Sequence, residues 1–143
     1  METKKFKFLE HTADVKFQAF GSSIERAFEN SALAMFNSMY DGRVLRKIKK
    51  RIKVRGKDFE NLLYNFLEEL LFLLDSKNFF LSSCKVKIDE EKLKLDASLE
   101  GDKASNYKIS LDVKAVTYNS MFVRQEGKTK KTKKSITQVV LDV

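Results

Sequence analysis

Proline and tryptophan are absent from this chain, cysteine and histidine occur once each, and only five glycines are scattered along it. A lone Cys84 forms no internal disulfide, which points to a reducing compartment or to a fold that needs no covalent staple. With His11 as the only histidine, neither a His/Cys metal cluster nor an HExxH helix can be assembled. Gly21, Gly42, Gly56, Gly101 and Gly127 stand too far apart for a Walker A loop or a GxGxxG turn, so no standard nucleotide cradle is available. A Ser-His-Asp triad built on His11 would have no GxSxG elbow to carry it. No apolar run approaches the ~20 residues of a membrane span, and Met1-Glu2-Thr3-Lys4-Lys5-Phe6 lacks the apolar block of a signal peptide. These absences weigh against an enzyme and against a small-molecule substrate, and we expect a cytoplasmic protein without membrane contact.

What is present is core material and charge. The 143 residues are 43% hydrophobic, with twelve Phe and four Tyr, and no Pro- or Ser-rich stretch could serve as a linker, so residues 1–143 read as a single domain. The formal charge of +8 is segregated. Residues 46–57 carry Arg46, Lys47, Lys49, Lys50, Arg51, Lys53, Arg55 and Lys57, and residues 128–134 carry Lys128, Lys130, Lys131, Lys133 and Lys134, with no acid in either segment. Removing these thirteen leaves 15 basic against 20 acidic residues, so the remainder of the chain is acidic. Such segregation suits an anionic partner, RNA or an acidic protein surface; the plainer reading is a charged edge strand and a solvated loop.

Alternation of apolar and polar residues over 4–9 and 15–20 argues two strands joined by Glu10-His11-Thr12-Ala13-Asp14. Ser22 and Glu25 have capping-box spacing, and Ile24, Ala27, Phe28, Ala32, Met35, Phe36 and Met39 form one helical stripe through Tyr40, ended by Asp41-Gly42. Within the first basic segment Ile48, Ile52 and Val54 are the apolar positions, as in an edge strand with one wet face. Asp58 precedes a second amphipathic helix through Leu74, carrying Leu62, Leu63, Phe66, Leu67, Leu70 and Leu71. Beyond Asp75 strands are expected over 79–89, 92–100, 107–118, 120–125 and 135–142, with Asp89-Glu90-Glu91 and Gly101-Asp102 as turns. The class is α+β: two amphipathic helices packed on one face of a mixed or antiparallel sheet of about seven strands.

The remaining chemistry is that of oxygen. Asp14 closes the connection after the first strand, and Asp142 follows the apolar run Val139-Val140-Leu141, which would pin a last strand and fix the terminal carboxylate of Val143. Carboxylates gathered at such strand ends must take up protons or bind a hard cation. The plainer alternatives are a turn cap at Asp14 and a solvated chain end at Asp142.

The stretch Phe8-Leu9-Glu10-His11-Thr12-Ala13-Asp14-Val15, the helix 24–36, the helix core Leu62-Leu63-Tyr64-Asn65-Phe66-Leu67-Glu68-Glu69-Leu70-Leu71, the strand Val113-Lys114-Ala115-Val116-Thr117-Tyr118 and the terminal Leu141-Asp142-Val143 together resemble the archease family. The resemblance runs nearly end to end. It implies a protein that activates the RtcB-type tRNA-splicing RNA ligase, promoting guanylylation of the ligase and restoring turnover without being a ligase. It also implies a divalent-metal site, usually assigned to calcium, that maps onto Asp14, Asp142 and Val143. Lys114 and His11 are the further functional candidates, and contact with tRNA is a possible addition.

Two departures qualify the match. Val15 is followed by Lys16 where the family usually has Gly, which sets a cation two residues from a proposed ligand. The family commonly carries a His after the Tyr of this strand motif and another before the strand leading into it; here Asn119 follows Tyr118, and the earlier segment reads Asn106-Tyr107. The rival reading is an RNA-binding or chaperone-like accessory protein acting through a basic surface that includes Lys49, Lys50, Arg51, Lys53, Lys130, Lys131, Lys133 and Lys134. Neither basic segment contains an aromatic residue, which argues against recognition of single-strand bases.

Overall fold

The protein is described here from a computed structural model, in which residues 4–10, 14–127, 129 and 133–143 are described. In chain order the elements are β1 (Phe6–Leu9), β2 (Val15–Gly21), α1 (Ile24–Met39), β3 (Ile48–Arg55), α2 (Phe59–Lys77), β4 (Phe79–Asp89), β5 (Lys94–Lys103), a short 3-10 turn (Ala104–Asn106), β6 (Ala115–Glu126) and β7 (Lys134–Asp142). The fold is α+β; among the described residues it has two helices and seven strands, as the sequence leads one to expect, and the strand pairs are antiparallel. The strands divide, however, not into the single sheet expected but into two, ordered β1-β2-β7-β6 and β3-β5-β4, so the helices are covered on two sides and not packed on one face.

The helices lie between these sheets. On α1, Ser31 Oγ meets Thr137 Oγ1 of β7 at 2.6 Å, whereas Glu29 Oε2 accepts the Val86 amide of β4 at 2.8 Å. Residues two apart on an α-helix point about 200° from each other, so α1 is covered on opposite sides. α2 likewise touches β6 of one sheet and β3 and β4 of the other. The core is one contiguous cluster in which Phe17, Phe28, Phe66, Phe79, Leu62 and Leu70 are fully buried, each such side chain worth about 1.5–3 kcal/mol.

Local signals explain the helix ends, with one correction. α1 is capped by Ser23, not Ser22: Ser23 is extended (φ −146°, ψ 166°) and its Oγ accepts the Arg26 amide at 3.2 Å. Glu25 therefore sits in the first turn, where it complements the helix dipole without closing a capping box. Asp58, the residue before the second helix, caps α2 by accepting the Asn61 amide at 2.7 Å. α2 runs past Leu74 to Lys77 and stops at Asn78, which adopts the left-handed conformation (φ 54°) typical of a helix end.

Two strand expectations fail. Gly101-Asp102 is not a turn but lies inside β5, where Gly101 pairs with both Ile48 and Leu81 and a Cβ would collide with the Phe80 carbonyl oxygen. Residues 107–114 form no ladder, because Tyr107 turns inward against Tyr40 and Phe80 and donates its hydroxyl to Asp102 Oδ2 at 2.7 Å. The two strands expected over 107–118 and 120–125 are instead one strand, β6, whose register against β7 shifts between Thr117 and Phe122. Ser120 takes up this bulge at φ 54°, and its carbonyl accepts Gln138 Nε2 at 2.7 Å.

Candidate functional site

Three strand ends converge at one end of the four-stranded sheet. Val15 pairs with Leu141 and Ala115 pairs with Asp142. One residue beyond the β2–β7 ladder, Asp14 is next in register with Asp142, and Lys114 directly precedes Ala115 at the start of β6. The Lys114 amide donates to the Asp142 carbonyl at 2.8 Å, which ties the start of β6 to the end of β7. Side chains of directly opposed residues share a face of the sheet, with Cβ atoms roughly 4.5–5.5 Å apart. The two Asp side chains are thereby neighbours on one surface, Asp142 and Lys114 exposed and Asp14 half-buried. Residues 14, 114 and 142 are far apart in sequence, so only the register brings them together.

The donor set is all oxygen: two carboxylates and the main chain of Val143. That chemistry fits a hard divalent cation whose remaining positions are filled by water. Among the described residues no group of three or more His, Cys, Asp or Glu side chains forms a metal cage, so Val143 would have to complete the set. Asp14 also lines a cavity of about 380 Å³ with Lys16, Asn37, Ser38 and Asp41, floored by Phe8, Leu9 and Val15. Asp14 and Lys16 stand on the same side of the chain, two residues apart, so the cation brought by Lys16 opposes charge on the proposed ligand. His11 lies outside the described residues.

A second support for this end was not foreseen from sequence. Glu68 of α2 reaches the edge strand β6 and accepts the Val116 amide at 3.1 Å. It does for β6 what Glu29 does for β4, since both strands are sheet edges whose outward N–H groups lack a neighbouring strand. Glu29 is 7% exposed, and its second oxygen accepts Arg26 Nη1 at 2.9 Å. Beside it, burial pushes the Cys84 thiol up to about 12, with the Glu29 charge adding to the effect, which favours the thiol over the reactive thiolate at neutral pH. Nothing in the sequence periodicity marks either glutamate as an edge cap, because the partner strand is remote in the chain.

The first basic segment forms β3, an edge strand of the three-stranded sheet as expected. Lys49, Arg51, Lys53 and Arg55 point outward, and Arg51 grips Asp96 of β5 with two hydrogen bonds of 2.9 and 3.1 Å. Lys50 has the opposite parity and lies with Nζ 5.8 Å from the Phe79 ring centroid. Lys133 and Lys134 precede and open β7 in the other sheet, Lys134 with Nζ 5.1 Å from the Phe20 ring centroid. Lys128, Lys130 and Lys131 lie outside the described residues. The described parts of the two basic segments thus belong to different sheets.

The fold and this sheet end define a small α+β protein whose acidic strand termini, and not a pocket with a nucleophile, form the candidate site. A model of the Archease protein family (MTH1598/TM1083) matches residues 6–143. Protein archease of Sulfurisphaera tokodaii is 39% identical over 127 residues, which span 87% of this chain and 91% of that protein. Protein archease of Danio rerio is 36% identical over 129 residues, 86% of this chain and 79% of that protein. The solution structure of Methanobacterium thermoautotrophicum protein 1598 superimposes with a TM-score of 0.80 at 35% identity, covering 99% of this chain and 100% of that one. The chain belongs to the archease family.

Proposed function

We propose that this chain is a protein cofactor of the RtcB-type tRNA-splicing RNA ligase, which it activates by promoting guanylylation of the ligase and its repeated turnover, and that it is not itself an enzyme. The observation that carries the reading is the meeting of Asp14, Asp142 and Val143 at one sheet end, with the Lys114 main chain hydrogen-bonded into it. Asp14 and Asp142 would hold a divalent cation, calcium by the family's usual assignment, and Val143 would add main-chain oxygen. When bound, the cation offsets the repulsion between two facing carboxylates and so stiffens the tip. The residues themselves present a small carboxylate edge with the ammonium groups of Lys16 and Lys114 adjacent, a surface able to dock against the ligase and orient charged groups there. Among the described residues no helix is long and apolar enough to cross a membrane. The unpaired Cys84 supports a place in the cytoplasm.

The test is a titration of the purified protein into its cognate ligase with radiolabelled GTP, with and without calcium. The expected result is guanylylation and multiple turnover that depend on the protein, with no specific GTP binding by the isolated chain. A ligase indifferent to the protein, or a chain that binds GTP specifically, overturns the reading.

A further inference from the structure

The outer face of the three-stranded sheet can be written down from its registers. Across β3, β5 and β4 the outward positions fall into four rows: Lys49, Glu100 and Ser83; Arg51, Ser98 and Lys85; Lys53, Asp96 and Lys87; Arg55, Lys94 and Asp89. Their neighbours of opposite parity, Ile52, Val86, Leu95, Ala97 and Leu99, are buried against the helices. Seven of these twelve outward residues are cations and three are anions. The face is thus net +4 and carries no apolar side chain. One anion is already committed: Arg51 holds Asp96, and this hydrogen bond, aided by the nearby charges of Lys53 and Lys87, keeps its carboxyl below the usual range. Lys49, Lys53, Arg55, Lys85, Lys87 and Lys94 have no ion-pair partner among the described residues.

We propose that this face binds the sugar-phosphate backbone of duplex RNA. Six residue steps along β3 at ~3.4 Å make the patch about 20 Å long, and two strand spacings of ~4.8 Å make it about 10 Å wide. It therefore spans on the order of half a dozen base-pair steps of a duplex, taking the ~3.4 Å per-strand rise of DNA as the scale. A rigid sheet fixes the spacing of its cations, which suits a rigid helical backbone. No aromatic residue lies on the face, so the stacking platforms that hold single strands are missing. Protein interfaces have an apolar centre within a polar rim, and no position here supplies one. The surface differs from the two basic segments legible in sequence: Lys85, Lys87 and Lys94 complete it, and it stands independently of the ligase reading.

The experiment measures fluorescence anisotropy of a labelled 20-base-pair RNA duplex over a salt series. Wild-type protein is compared with the triple variants Lys49→Gln/Lys53→Gln/Arg55→Gln and Lys85→Gln/Lys87→Gln/Lys94→Gln. The control Lys77→Gln/Lys103→Gln/Lys108→Gln removes the same charge from exposed positions elsewhere. Each face variant should lose at least about tenfold in affinity and about two units of salt slope, since each phosphate contact contributes roughly 0.7–0.9. The control should stay within about twofold of wild type. Equal losses in the control would show attraction by net charge alone and overturn the proposal, as would unchanged binding by both face variants. Equally tight binding of a 20-residue oligouridine would overturn the assignment to duplex, and displacement of the duplex by an equimolar polyglutamate peptide would reassign the face to an acidic protein.

Discussion

The acidic sheet end and the basic sheet face are built in opposite ways. Asp14, Lys114 and Asp142 come from three distant parts of the chain and meet only because β2, β7 and β6 pair in one register. The basic face starts from a contiguous run, β3, in which alternate residues share a side by the geometry of any strand. A one-residue slip of β7 would dismantle the first site entirely, while β3 in isolation would still present Lys49, Arg51, Lys53 and Arg55 together. Sites made by register are cheap in residues and fragile to sequence change; sites made by alternation are robust and diffuse.

The sharpest break in this comparison comes at the tip. Asp14→Ala and Asp142→Ala should each abolish ligase stimulation, and the double variant should be no worse than either, because two ligands of one cation fail together. All three proteins should remain folded by circular dichroism and retain duplex RNA as wild type does. Normal stimulation by both single variants would move the working surface away from this end.

The two edge glutamates offer a paired test. Glu29→Ala strands the buried Val86 amide and releases the exposed Arg26 guanidinium to water, and should cost about 1–3 kcal/mol in urea unfolding. Glu68→Ala removes a part-buried hydrogen bond to the Val116 amide and should cost about 1 kcal/mol. The functional consequences should cross: Glu68→Ala loosens the start of β6 and lowers ligase stimulation several-fold, whereas Glu29→Ala loosens β4 and with it Lys85 and Lys87 of the basic face.

A smaller effect concerns acid. Asp102 accepts the Tyr107 hydroxyl first and the Lys103 amide second, which hold its carboxyl below the ordinary range. Its folded pKa is depressed, so its contribution to stability is present above the unfolded value of ~3.9 and disappears as the pH falls through the lower folded value. Asp102→Asn should therefore flatten the acid limb of a stability profile below about pH 4 while leaving both surfaces intact. The least effect is expected from Asp96→Asn: Arg51 is exposed and Asp96 half-buried at the surface, and the pair should be detectable only as a slight rise in duplex affinity when the face loses one anion.

Sequence periodicity carried the helices and the edge character of β3, because each depends on neighbours within a few residues. It failed at Gly101-Asp102 and at 107–114 for a common reason. Gly101 is small to let the Phe80 backbone approach, and Asp102 is polar to receive Tyr107, so residues that ordinarily signal a turn were selected by contacts across the sheet. At the site, motif resemblance singled out Asp14, Lys114 and Asp142, yet Glu68 escaped because its role is fixed by β6 and not by its own helix. Lys85 and Lys87 alternate in β4 just as Lys49 and Lys53 do in β3, but their membership of one face needed the register through β5.

The placement of α1 and α2 between two separate sheets bears on how the molecule comes apart. No strand of one sheet pairs with a strand of the other among the described residues, so the helices are the mortar between them. Peeling away either sheet would leave one side of α1, with Ser31 or Glu29, facing water in an apolar surround. Neither half then retains a closed core, and the two sheets should melt in a single cooperative transition, with amide exchange in β4 and β7 limited by the same global opening.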